Sequence, residues 1–236
     1  MSGQNENYWI SLSDLMTGLM VIFLFIAISY IKSQRIIFEE FGKTQNELSK
    51  EFQREFKNVP KEWGMSISEE DLSIKFGNPE LLFEPGKDKL KPKFKNILIK
   101  FLPKYFDVIL KDKYRNAIME VRIEGHSDPN LIFNGKYKDS YLDNLDLSQK
   151  RALSVLAFYR ELNHYKNLSK DKKVILDYWI TANGLSYGRT LNKFGEQITP
   201  LEDIKDRNID YDKSRRVEFK IVTNSKSVVD KFLDSE

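Results

Sequence analysis

Residues 10–31 read ISLSDLMTGLMVIFLFIAISYI, 22 residues interrupted by a single charge, Asp14. At 1.5 Å of rise per residue, a helix of that length crosses the ~30 Å hydrocarbon layer of a bilayer. A lone segment can satisfy its backbone there only as a helix. The run is too long for a secretion-signal core. No basic stretch precedes it and no small-x-small cleavage site follows closely, so it reads as an anchor that stays on the protein.

Asp14 makes this run unusual. Burying a carboxylate at membrane depth costs about 2.5–3.5 kcal/mol on insertion scales, and a chain that keeps one usually binds and releases a cation with it. On a helix, Ser11, Asp14, Thr17, Gly18 and Val21 share a polar-then-small face, opposite the bulky Ile22, Phe23 and Ile26. Small residues admit a second helix, which would turn Asp14 into a helix assembly. The alternative is a carboxylate close enough to the boundary to cap the helix or reach the headgroups. Orientation is ambiguous, because residues 1–9 hold no Lys or Arg while Lys32 and Arg35 follow the run. The positive-inside rule would then keep the rest of the chain in the cytoplasm.

The remainder is polar, with 31% charged residues overall, mean hydropathy −0.50 and a net charge of only +3. Lys and Glu are interspersed, which argues against a nucleic-acid stripe. There are no cysteines, so disulfides and Cys-based metal or redox chemistry are excluded. The two histidines, His126 and His164, form no HExxH pattern, and no nucleophile–base pair stands out. No cofactor, resident metal or enzymatic activity is expected.

The length of 236 residues suits a short tail (1–9), the anchor (10–31), a stalk (32–58), one domain (63–224) and a closing tail (225–236). In the stalk, apolar residues recur at Phe38, Phe41, Leu48, Phe52 and Phe56, with Gln45 in the vacant slot. This narrow seam fits either pairing with a second copy or packing onto the protein's own domain. Pro60 disfavours helix in the residue before it and ends the segment.

The fold class expected of the domain is α+β. Residues 71–76, 119–124, 179–182 and 216–222 read as strands, and 94–110 (interrupted at Pro103) and 147–162 as helices. The order β-α-β-α-β places helices on one face of a small sheet. Residues 129–144 and 185–214 read as long loops, which in a compact domain tend to be functional. Polar residues cluster at three junctions: Gly125-His126-Ser127-Asp128 after a strand, Asn144 and Leu147–Ala152 at a helix start, and Ser214-Arg215-Arg216-Val217-Glu218 before the last strand. Asp128 can hold an ammonium and Arg151 a carboxylate, which together suit a zwitterion. The same two residues also suit a plain salt bridge.

The motifs LLFEPGKDKL (81–90), GHSD (125–128), NLDLSQKRA (144–152) and SRRVEF (214–219) resemble, in order, the OmpA-type peptidoglycan-binding domain over residues 66–223. The resemblance implies that Asp128 and Arg151 grip the diaminopimelate of a peptidoglycan stem peptide, with Asn144 supporting the loop and Leu147 and Arg216 completing the site. It makes His126 a packing residue. The chain departs from the family in a longer segment after Asp128 that contains Leu131, Ile132 and Phe133. It also lacks the usual Gly there, and has Ser214 where an Asn is common.

Residues 8–26, YWISLSDLMTGLMVIFLFI, resemble the span of MotB-type stator subunits, which makes Asp14 the ion carrier, supported by Ser11, Thr17 and Gly18. The WIS-x-x-DLMT wording is closest to the ZorB family, the MotB-like subunits of Zorya anti-phage defence systems. That likeness implies an inner-membrane, single-pass subunit with its N-terminus cytoplasmic and its domain periplasmic. It also implies a homodimer inside a ring of a ZorA-like polytopic partner, driven by H⁺ or Na⁺, with no nucleic acid involved. A flagellar stator subunit and a passive wall anchor remain the alternatives.

Overall fold

The computed structural model describes residues 3–69, 71–130, 132, 135–198 and 208–223. The expected tail 225–236, Leu131 and Phe133, and residues 199–207 of the second expected loop lie outside these. The chain divides into two compact units, Met1–Lys43 with Ser225–Glu236, and Thr44–Asn224.

Helix α1 (Gly3–Glu55) forms the described part of the first unit and opens the second. Within it, Leu12–Ser33 is 22 residues long with mean hydropathy 2.1, long and apolar enough to cross a membrane. Its large side chains are exposed, Phe25 at 72% and Leu15 at 70%. Such a surface is unfavourable in water and natural in lipid. Thr17 donates its hydroxyl to the Ser13 carbonyl at 2.8 Å, which satisfies the hydroxyl within the apolar run.

The second unit is built on a five-stranded sheet in the order β1-β2-β5-β3-β4, with β1 Met65–Ser68, β2 Ser73–Phe76, β3 Ile118–Gly125, β4 Ile180–Gly184 and β5 Val217–Thr223. Among the described residues, only β3 and β4 run parallel. The three other pairings are antiparallel. Helices α2 (Pro92–Ile109), α3 (Ser140–Glu161) and α4 (Lys170–Trp179) pack their apolar residues into one core with the sheet. The alternation in β3 sends Val121 and Ile123 into that core.

Several expectations change. Strand β1 is additional: its short MSIS wording carries little signal, and it forms only as the hairpin partner of β2. Helix α2 is not interrupted at Pro103. A mid-helix proline costs ~3 kcal/mol, largely through a lost bond to the carbonyl four residues back. Here that residue is Ile99, which is half exposed to water, while nine side chains of α2 are buried. Helix α3 starts at Ser140 rather than 147, because Asp139 caps it and accepts from the Tyr141 and Leu142 amides. Helix α4 carries little local signal, because only Leu176 and Trp179 of its ten residues are buried.

The end of the expected stalk seam belongs to the domain itself. Leu48, Phe52 and Phe56 are buried, with Phe52 stacked on Tyr105 at 5.2 Å and Phe56 against Phe101 at 5.1 Å. Glu51 is held by Lys111 at 2.6 Å and by Lys113. Burial alone would raise its pKa, but the two lysines outweigh burial and hold the carboxyl at about 2. The side chains of Phe38 and Phe41 lie outside the described ones, so the pairing alternative for that end of the seam stays an expectation.

Candidate functional site

Two glycines set how α3 meets the sheet. A Cβ on Gly125 would lie 2.1 Å from the Ser148 carbonyl oxygen, and one on Gly184 would lie 2.4 Å from the Gln149 amide. Only glycine lets the first turns of α3 rest on the carboxyl ends of β3 and β4. Gln149 then ties the helix to β4, donating to the Ala182 carbonyl and accepting from the Gly184 amide, both at 2.7 Å. Ser148 accepts from the Ser186 amide at 3.1 Å. This close seat brings Asn144, Leu147 and Arg151, spaced three and four apart on α3, alongside the loop that follows β3.

The result is a cavity of about 1090 Å³ lined by Asp128, Asn144, Leu147, Arg151 and Arg216, all five wall-binding candidates of the sequence, together with Arg215. Its far wall is the turn after β2, residues 77–87.

Each candidate is held differently. Asp128 is buried, with Oδ1 accepting from the Asn130 amide at 2.9 Å and Oδ2 paired with Arg215. Arg151 does not form the salt bridge that the sequence left open. Its Nε donates to the Lys87 carbonyl at 3.0 Å, and its guanidinium lies 5.1 Å from the centre of the Phe83 ring. Burial, and then the neighbouring Arg215, pushes the Arg151 guanidinium down to about 10, which leaves it charged at neutral pH. Asn144 donates to the Asn130 and Ser140 carbonyls, each at 3.0 Å, so it braces the loop after Asp128.

Arg216 lies beneath the cavity rather than in it as a free charge. It is 5% exposed, its Nε pairs with Glu218 at 3.1 Å, and it donates to the Arg189 carbonyl at 3.1 Å. Arg215 is the residue that sequence reasoning passed over in favour of its neighbour. The doubled arginine before β5 was the available signal, but adjacent residues near a strand face opposite ways, and the sequence does not say which one faces the cavity.

Below the cavity, Glu124, His126 and Glu218 carry potential ligand atoms within 4.8 Å of one another. His126 Nε2 lies 3.5 Å from each carboxylate. Three cations already surround the pair: Arg216, Arg189 at 3.8 Å from Glu124, and Lys75 at 3.9 Å from Glu218. A divalent ion would add charge where charge is already neutralised, so the cluster reads as a buried ion network. Burial, and then Arg216, drives the His126 pKa well down and keeps the imidazole neutral. This agrees with a packing role for His126.

In the span, Asp14 is exposed on the surface of α1. A Cβ at Gly18, four residues on, would meet nothing within 4 Å, so that face is open to an approaching helix. The Ser11 side chain lies outside the described ones.

No protein-family model matches the chain. A Zorya protein ZorB of Escherichia coli (strain ATCC 8739) is 32% identical over 237 residues, covering 98% of this chain and 94% of that protein. A Zorya protein ZorB of Escherichia coli O139:H28 is 26% identical over 231 residues, covering 92% and 88%. Among solved structures, a MotB-like protein from Desulfovibrio vulgaris matches with a TM-score of 0.49 at 21% identity, covering 79% of this chain and 95% of that one. The periplasmic domain of Helicobacter pylori MotB matches with a TM-score of 0.42 at 18% identity, covering 72% and 97%.

Proposed function

The chain belongs to the ZorB family of Zorya systems, and from that premise we propose that it is the wall-anchored, stator-type subunit of an ion-driven membrane motor in anti-phage defence. Its anchor crosses the inner membrane once, with the N-terminus cytoplasmic and the domain periplasmic. Two copies pair inside a ring of a ZorA-like polytopic partner, and Asp14 carries the translocated H⁺ or Na⁺. The domain holds the pair still by gripping the stem peptide of peptidoglycan. The observation that carries the wall-binding half is the convergence of Asp128, Asn144, Leu147 and Arg151 on one cavity.

The mechanism follows from charge. A carboxylate facing the ring alternates between protonated and ionised forms, and each form favours a different contact with the partner. Moving one charge through 100 mV supplies about 2.3 kcal/mol, enough to bias one step. Repeated steps turn the ring about a dimer that the wall holds fixed. In the domain, Arg151 offers a guanidinium to a ligand carboxylate and Asp128 an acceptor to its ammonium. No step requires a catalytic group, and the chain acts as a binding and coupling subunit.

Two measurements test the two halves separately. Asp14→Asn is expected to abolish phage protection while leaving co-purification with the polytopic partner intact; full protection by that variant would end the motor reading. Asp128→Ala and Arg151→Ala are expected to lose retention on purified sacculi. Undiminished retention would reduce both residues to structural roles.

A further inference from the structure

Resting on the wall-binding reading, and deepening it, the arrangement of one arginine says how the cavity selects its ligand. Asp128, the acceptor for a ligand ammonium, is not vacant: Arg215 Nη1 occupies its Oδ2. The other arm of the same guanidinium, Nη2, holds Asp212 Oδ1. The two carboxylates differ sharply in setting, with side-chain exposures of 7% for Asp128 and 74% for Asp212, and 33% for the arginine between them. The backbone of Arg215 is fixed, since its amide donates to the Tyr211 carbonyl at 3.2 Å, so only the side chain has room to move. Asp128 Oδ1 accepts from the Asn130 amide, a bond that does not involve Arg215 and that aims the carboxylate. Arg151, among the described residues, has a carbonyl and a ring for contacts and no carboxylate.

We propose that Arg215 is a latch that sets the specificity of the cavity: a ligand ammonium reaches Asp128 only by displacing Arg215 toward Asp212, and the exchange is completed by a ligand carboxylate on Arg151. An amine without a carboxylate must break the Arg215–Asp128 pair and gains nothing at Arg151. A carboxylate without an amine leaves the latch shut. The amino-acid end already assigned to the cavity carries both groups and meets both conditions, so selection resides in the competition for Asp128 as much as in the contacts made afterwards.

The test is calorimetric titration of the full-length protein in detergent with meso-diaminopimelate, cadaverine and pimelate. The wild type is expected to bind diaminopimelate and neither of the others. Arg215→Gln opens the latch; it is expected to tighten diaminopimelate by about tenfold and to gain cadaverine binding. Asp212→Asn removes the resting place of the displaced side chain and is expected to weaken diaminopimelate about threefold. Asp212 is exposed and its ion pair is a surface one, so that variant is expected to fold, which a melting curve checks. Opposite signs at the two partners of one arginine are the signature of a latch. Diaminopimelate binding that Arg215→Gln weakens makes Arg215 a ligand contact and overturns the proposal, as does binding that neither variant changes. A wild type that binds sacculi but not diaminopimelate overturns the ligand class alone. One that binds neither overturns the wall-binding reading and the latch with it.

Discussion

In the apolar stretch Leu12–Ser33 the carboxylate of Asp14 pairs with nothing among the described residues, whereas in the cavity Asp128 is braced on both oxygens, by the Asn130 amide and by Arg215. The same chemical group is left open in one region and tied down in the other. On the proposed reading, a charge at membrane depth is costly until a neighbouring chain supplies its partner, and Asp14 acts within an assembly. A braced charge is already stable, and a ligand must be exchanged in against an existing partner. On that reading Asp14 works through a partner chain, and the domain through an ion pair that a ligand exchanges.

Perturbing each region in turn tests that contrast. The largest effect is expected from Asp14→Asn, with complete loss of protection in a plaque assay and no change in the stability of the purified protein. A measurable loss of stability would mean that Asp14 is a structural charge after all. Next, Phe52→Ala removes a buried ring from the domain core and is expected to cost about 3–5 kcal/mol in urea unfolding. Gly125→Ala should cost about 1–3 kcal/mol, because its Cβ meets the Ser148 carbonyl and lifts α3. Retention on sacculi should fall with it, since Asn144, Leu147 and Arg151 all ride on that helix. The smallest effect concerns acid. The Glu51 carboxyl is depressed from 4.5 to about 2, so its stabilisation is fully present above pH 4.5 and is lost as the pH falls toward 2. With Lys111 and Lys113 about half exposed, screening limits this to roughly 1–2 kcal/mol. Glu51→Gln should lower stability by that amount at neutral pH, converge with the wild type as the pH falls toward 2, and so flatten the acid limb between pH 4.5 and 2.

The two regions were also unequally legible in the sequence. Asp14 was conspicuous because a single charge in a long apolar run has few alternatives. Strands β2, β3, β4 and β5 and helices α2 and α3 follow from period-two and helical spacing, with ends displaced by one or two residues in most and by seven in α3, where the Asp139 cap sets the start. Strand β1 exists through its pairing with β2, a relation that local pattern does not carry. In the cavity, the sequence named Asp128 and Arg151 but not the ion pair that Asp128 makes with Arg215. Arg215 and Arg216 are neighbours of identical chemistry, and only the register of β5 sends one to Glu218 and the other to Asp128. The seam at Leu48, Phe52 and Phe56 is apolar in the sequence, while its partners, Tyr105 and Phe101 of the same chain, lie about fifty residues away, so the sequence leaves pairing with a second copy equally open.

That seam decides how a soluble fragment must be cut. A boundary drawn at Pro60, where the first long helix has visibly ended, would strip three large side chains from beneath α2 and leave Lys111 and Lys113 facing no acid. The shortened polypeptide would present Phe101 and Tyr105 to solvent and tend to aggregate. A fragment meant for crystals or for titration should instead begin upstream of Gln45, whose amide reaches Thr223 at the end of β5 and closes the sheet side of the domain.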